Sequence, residues 1–242
     1  MRTGAIIGAE ALIRWQHPER GLLAPSAFLP AIENHPICID VGEWVIASAL
    51  RQMADWKAQG LDLPVSVNID AMQLQKEGFS LRLSQLLDQQ PQVPPRWLCL
   101  EILETNALDD IALVSDIMRR CQALGVRFAL DDFGTGYSSL TYLKRLGAEE
   151  IKIDQSFVRD MLVDPDDLAI VQGVIGLAQA FHRDVIAEGV ETAEHGARLL
   201  PLGCHLAQGY GIARPMPAQD LAQWAAQWEP HPTWTQQTEA AS

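Results

Sequence analysis

Short apolar runs alternate with longer helix-period segments along nearly the whole chain, and this alternation limits the fold more than any other feature. The runs AIIGAEALI (5–13), LPVSVNI (63–69), WLCLEIL (97–103), VRFALDD (126–132), EEIKID (149–154), DVIAEGV (184–190) and HLAQGYGIA (205–213) have strand length. Helical periodicity predicts helices over 39–60, 79–90, 109–125, 138–147, 164–182, 193–203 and 218–228. Gly60 and a further glycine at 125 stand where such helices stop. Asp164 is a good N-cap before Pro165 at a first helical position. Strands alternating with helices imply parallel βα units. Seven strands in one domain of 242 residues favour an α/β fold of the TIM-like (β/α)8 barrel type over an open doubly wound sheet. Periodicity does not show closure, so the open sheet stays as an alternative. The end of the chain, EPHPTWTQQTEAAS, lacks periodicity; it reads as a tail over 229–242 after a domain over 1–228.

The charge balance excludes one class of function. A formal net charge of −13 opposes sequence-independent binding of a nucleic-acid polymer, which needs basic surface to displace counterions. The four cysteines (Cys38, Cys99, Cys121 and Cys204) are widely spaced, form no CxxC pair and have apolar neighbours. They read as buried free thiols in a reducing compartment, not as a zinc site. The start MRTGAIIGAE has no long apolar core of a signal peptide, and no uncharged apolar run reaches membrane-span length. The expectation is a cytoplasmic chain without membrane contact. The six histidines (His17, His35, His182, His195, His205 and His231) show no metal spacing and read as surface or loop residues.

The informative polar residues fall at the C-terminal ends of the predicted strands. They are Glu10, Asn68, Glu101, Asp131 with Asp132, Lys152 with Asp154, Glu188 and Gln208. In a barrel those ends converge on one face, where active sites are built. Each residue alone has a plainer reading: Glu10 as an edge-strand charge, Asn68 as a turn former, Asp154 as a helix cap. Together, bare carboxylates in a low-dielectric cavity are costly unless cations offset them. An oxygen-only donor set without His or Cys favours Mg²⁺ or Mn²⁺. The adjacent pair Asp131–Asp132 suits a two-metal site for phosphodiester hydrolysis, one carboxylate bridging. Lys152 and Asp154 lie two apart, on one side of a strand. Lys152 then orients water or a phosphate oxygen, or alternatively forms a Schiff base as in barrel aldolases. The glycines of DFGTGYSS read as a tight, mobile loop beside this pair.

At these residues the chain resembles the EAL family of cyclic di-GMP phosphodiesterases. The resemblance runs from Gly8 to Pro217 through GAEALIRW, VNIDAMQL, LEILE, DDFGTGYSSL, IKID, AEGVET and AQGYGIARPMP. It implies hydrolysis of cyclic di-GMP to linear pGpG with two Mg²⁺ or Mn²⁺ ions. By resemblance, Glu10, Asn68, Glu101 and Asp131 are ligands of the first metal, Asp131 bridges, and Asp132 holds the second. Lys152 holds the attacking water, and Asp154 and Glu188 support that water and the second metal. Gln208 completes the pocket, and Arg14 contacts a substrate phosphate. Glu104 and Glu191 brace the DDFGTG loop and the metal shell. The resemblance also implies a homodimer formed beside that loop, and a sensor or cyclase domain upstream.

Two departures stand out. Leu103 replaces the family's usual threonine and removes a hydroxyl near the metal. The family's usual first strand, with its QPI-like motif, is absent before Thr3 and Gly4, so a wall of the barrel is expected to be missing. A catalytically weak cyclic di-GMP receptor is therefore kept as the alternative to an active phosphodiesterase.

Overall fold

The structure, a computed structural model, describes residues 1–33, 35–104, 110–135 and 140–235. The chain divides into two compact units: Ile7–Ile102 with Asn106–Phe128, and Met1–Ile6 with Leu103–Thr105 and Ala129–Ser242.

In the unit built around Ile7–Ile102, strand β1 (Ala9–Ala11) is followed by an antiparallel hairpin of β2 (Trp15–His17) and β3 (Gly21–Leu23). The hairpin was not expected from periodicity, because its two strands have only three residues each. Strands β4 (Val65–Asn68) and β5 (Leu98–Leu103) complete a parallel order β1-β4-β5. Every residue of β5 up to Ile102 is buried, which explains why the strand is apolar apart from Glu101. The helix Ile37–Ala58 joins β3 to β4 and buries Ile46, Ala49, Leu50 and Met53 at helical spacing. It ends as expected: Gly60 takes the left-handed conformation at φ +84° and its N–H bonds to the Lys57 carbonyl.

The other unit carries β6 (Arg127–Phe133) from Ala129 onward, β7 (Glu150–Ile153), β8 (Asp184–Ala187) and β9 (Leu206–Ala207), paired in parallel in chain order. The helix Pro165–Ala180 starts as the sequence predicts, with the Asp164 carboxylate accepting from the N–H of Asp166 at 2.8 Å. The described residues thus hold seven parallel strands, the number read from the sequence, and the first of them is the one with Glu10.

Several boundaries differ from expectation. Only Ala9–Ala11 of 5–13 and Leu206–Ala207 of 205–213 are strand. The final run instead folds back after Ala207, the N–H groups of Ile212 and Ala213 both bonding to the Gly209 carbonyl. The helix predicted over 138–147 runs Leu140–Arg145, and 136–139 lie outside the described residues. The end of the chain is not featureless: Pro232–Thr235 is a helical turn, and Trp234 is only 2% exposed. Its indole N–H donates to the Ala193 carbonyl at 2.8 Å. Trp228 donates likewise to the Gly4 carbonyl at 3.0 Å. One indole is enough to anchor a segment with no periodic pattern, because it buries a large apolar area and satisfies its own N–H. A Cβ on Gly196 would sit 2.3 Å from the Trp234 indole nitrogen. Gly196→Ala is therefore expected to cost about 1–3 kcal/mol by overpacking. The check is the urea midpoint; a midpoint unmoved from that of the unsubstituted chain would show that Trp234 is not anchored there.

His195 corrects the reading of the histidines as surface or loop groups. It is 5% exposed, with Nδ1 3.0 Å from the Thr192 hydroxyl and Nε2 3.1 Å from the Arg159 carbonyl. It caps the helix Ala193–Leu202 and ties that helix to the one formed by Gln155–Asp160. The expectation for the cysteines agrees with the structure: all four are buried and free.

Candidate functional site

The first group of predicted residues lies in the unit around Ile7–Ile102. Glu10 is in β1, Asn68 closes β4 and Glu101 is in β5. The register sets Asn68 beside Glu101, and the Asn68 amide donates to Glu10 Oε1 at 2.8 Å. Three neighbouring parallel strands thus place these oxygen donors side by side. Glu101 is 2% exposed. Arg14 lies just after β1, its guanidinium donating to the Ile13 carbonyl at 2.9 Å.

The second group lies in the other unit and is built on an irregularity. Leu130 pairs with Ile151 and Phe133 with Ile153, so Asp131 and Asp132 together oppose Lys152 alone. This is a β-bulge. In a regular strand two adjacent side chains point to opposite faces. Here the extra residue turns Asp132 to φ +53°, a left-handed conformation that aspartate tolerates better than most residues. Carboxylate oxygens of Asp131, Asp132 and Glu188 all lie within 4.8 Å of one another.

Lys152 sits among them at 1% exposure, its Nζ 2.7 Å from Glu188 Oε1 and 3.2 Å from Asp131 Oδ1. Glu188 follows β8 directly, and its N–H bonds to the Ile153 carbonyl at 3.2 Å. Burial, then the charge of Asp131 and a hydrogen bond with Asp154, push the Asp132 carboxyl up to about 6. Its charge is therefore unfavourable in the folded chain. The contribution of this group to stability is present at low pH and is lost as pH rises from the ordinary carboxylate range through about 6. A cation beside it reverses that cost.

Asp154 realises its plainer reading as well. Its Oδ1 accepts from the Ser156 N–H at 2.9 Å and from the Ser156 hydroxyl, capping the helix Gln155–Asp160. The cap fixes the carboxylate that meets Asp132. Glu104 takes a hydrogen bond from the Gly134 N–H at 3.0 Å, and its own N–H donates to the Asp131 carbonyl at 3.1 Å. It holds both ends of the bulge. Of the predicted mobile loop, Gly136 to Ser139 lie outside the described residues. Gln208 is half-buried after β9, bonded through its N–H to the Ala187 carbonyl at 2.8 Å. Glu191 is exposed. Leu103 is 37% exposed at the end of β5. Sequence reasoning missed His195 and Ser156, whose roles are set by partners outside any strand-end pattern.

A donor set of oxygens with a raised carboxyl fits a hard divalent cation. Comparison with known proteins agrees with the sequence motifs. The EAL domain family matches residues 1–215. The chain belongs to the EAL-domain family. The bifunctional diguanylate cyclase/cyclic di-GMP phosphodiesterase MucR of Pseudomonas aeruginosa is 42% identical over 90% of the chain and 32% of its own length. The cyclic di-GMP phosphodiesterase PdeR of Escherichia coli is 39% identical over 91% of the chain and 33% of its own. The EAL domain here thus spans about a third of the length of the curated relatives it matches. The solved PaMucR phosphodiesterase in complex with c-di-GMP superposes with a TM-score of 0.85 at 41% identity, covering 90% of this chain and 88% of that one. The fold is that of an EAL domain, in the α/β class expected from the alternation of strands and helices. Among the described residues, no helix is long and apolar enough to cross a membrane.

Proposed function

We propose that this EAL domain hydrolyses one phosphodiester of cyclic di-GMP, giving linear pGpG, with the help of two Mg²⁺ or Mn²⁺ ions. The observation that carries the reading is the bulge that turns Asp131 and Asp132 together, with Glu188, around the buried Lys152. The similar MucR and PdeR proteins, both named cyclic di-GMP phosphodiesterases, support the substrate. Asp131 and Asp132 are assigned as ligands, and the family motifs add Glu10, Asn68 and Glu101. Bound cations supply charge neutralisation and a water of lowered pKa.

The protein's own groups do the rest. Lys152 lies between two carboxylates and orients the attacking water. Glu188 fixes the Lys152 ammonium, and Asp154 fixes Asp132 through the helix cap. Arg14 offers a planar fork to a phosphate oxygen, and Gln208 an amide to the substrate. Glu104 keeps the bulge in register, and Glu191 supports the following loop. The proposal extends to a homodimer acting in the cytoplasm. An upstream sensor or cyclase domain is supported by the greater length of the relatives and by the double name of MucR.

The test is turnover by the purified chain with Mg²⁺ or Mn²⁺, and again after EDTA. Linear pGpG should appear only with metal. Metal at about a hundred times its dissociation constant should add about 2.7 kcal/mol to stability. For a chain of this size that is a rise of roughly 5–11 °C in Tm. Binding of cyclic di-GMP without turnover in either metal would reject hydrolysis in favour of a receptor role. A Tm indifferent to metal would reject the ligand assignment.

A further inference from the structure

The segment after β9 carries a feature that the hydrolytic reading leaves unused. Tyr210 is 55% exposed, and the Arg214 guanidinium lies over its ring, 4.6 Å from the centroid. The two side chains are four residues apart on a single turn, closed by the Ala213 N–H bonded to the Gly209 carbonyl at 3.0 Å. The turn itself is pinned. The Val190 N–H bonds to the Gln208 carbonyl at 3.0 Å, and the Gly211 N–H bonds to the Val190 carbonyl at 2.9 Å. Any Cβ on Gly209 would lie 2.4 Å from the Val190 nitrogen, and any on Gly211 2.7 Å from the Glu191 carbonyl carbon. The two glycines thus allow the turn to lie directly on the chain that follows Glu188. An exposed aromatic ring and a guanidinium are thereby presented side by side on a pinned turn, two and six residues beyond Gln208.

A cation–π pair at the surface contributes little to stability, about 0.5–1 kcal/mol. Its chemistry suits a purine better than it suits the fold. An aromatic face stacks any base, whereas an arginine fork pairs with the O6 and N7 acceptors of guanine. Adenine presents an amino donor where guanine presents O6, so the same fork meets it with a mismatch. We propose that Tyr210 and Arg214 form the guanine-recognition platform of this domain, with Arg214 reading O6 and N7 and the Tyr210 ring holding the fork in its pose. Arg214 is the specificity-determining residue and Tyr210 a positioning residue. This rests on the reading of cyclic di-GMP as substrate.

The test compares steady-state kinetics of the full chain with cyclic di-GMP, cyclic di-AMP and bis(p-nitrophenyl) phosphate, which carries no base. Arg214→Ala is expected to raise KM for cyclic di-GMP by about ten- to a hundred-fold, the range of one bidentate base contact. The effect should fall on KM more than on kcat. The preference for guanine over adenine should shrink by the same factor, and the loss on bis(p-nitrophenyl) phosphate should be at least about ten-fold smaller. Arg214→Lys, which keeps the charge and lacks the fork, should resemble Arg214→Ala; Tyr210→Phe should retain guanine preference where Tyr210→Leu loses it. Equal losses on all three substrates, or an unaltered guanine preference in Arg214→Lys, would overturn the inference. An unsubstituted chain that neither binds nor hydrolyses cyclic di-GMP would instead sink the functional reading beneath it.

Discussion

Asp131→Asn is expected to lower kcat for cyclic di-GMP by at least about 10²–10³-fold, the loss typical of one electrostatic contact to the reacting centre. The substitution keeps the shape of the side chain and removes its charge. Asp131 accepts the Asp132 N–H at 3.1 Å and lies 3.2 Å from Lys152 Nζ, so it orders both the bulge and the ammonium. Its proposed bridging role adds the loss of a shared ligand. Metal affinity should fall in parallel, readable by calorimetric titration of Mn²⁺ in the absence of substrate. Product quantified by chromatography decides the matter: a variant that turns over at more than about a tenth of the normal rate would refute the bridging assignment, since a tenfold change is only about 1.4 kcal/mol of barrier.

Lys152→Met should be the most destabilising substitution at this site. The side chain is 1% exposed and pairs with Glu188 and Asp131, whose own side chains are 15% and 10% exposed. Removing the cation strands two mostly buried carboxylates, and breaking such a pair costs about 3–5 kcal/mol. That corresponds to a fall of roughly 6–20 °C in Tm for a chain of this size. Turnover should be abolished as well. Two controls identify the cause. Adding Asp131→Asn to Lys152→Met should recover part of the lost stability, because one stranded charge is gone. Saturating Mg²⁺ should recover part of it too, because a cation again faces the carboxylates. A metal-free Tm within about 2 °C of normal would show that Lys152 is not the electrostatic centre of the cluster. Borohydride trapping of a carbonyl compound on Lys152 would instead support the aldolase alternative.

The locations of the strands and of most polar strand-end residues were legible because both follow from local pattern. A buried parallel strand is mostly apolar, as β5 is apart from Glu101, and a long helix announces itself by caps such as Asp164. Short elements were not legible. The hairpin of β2 and β3 has too few residues to show a period, and Pro232–Thr235 has none at all. His195 was misread for a related reason: its burial comes from Thr192 and the distant Arg159 carbonyl, and no local pattern encodes a partner 36 residues away.

The adjacent aspartates separate what each level of description decides. The sequence by itself determined that two carboxylates end a buried strand, that Lys152 and Asp154 share one side of the next, and that all donors are oxygens suited to a hard cation. It did not determine that Asp131 and Asp132 turn toward the same lysine, since strict alternation would send them to opposite faces. Only the tertiary structure decided that. The pairing of β6 with β7 inserts one extra residue between Leu130 and Phe133, and Glu104 holds that insertion through the Gly134 N–H. Register between strands is a long-range property, set by how whole elements pack, and a one-residue slip changes which side chains meet.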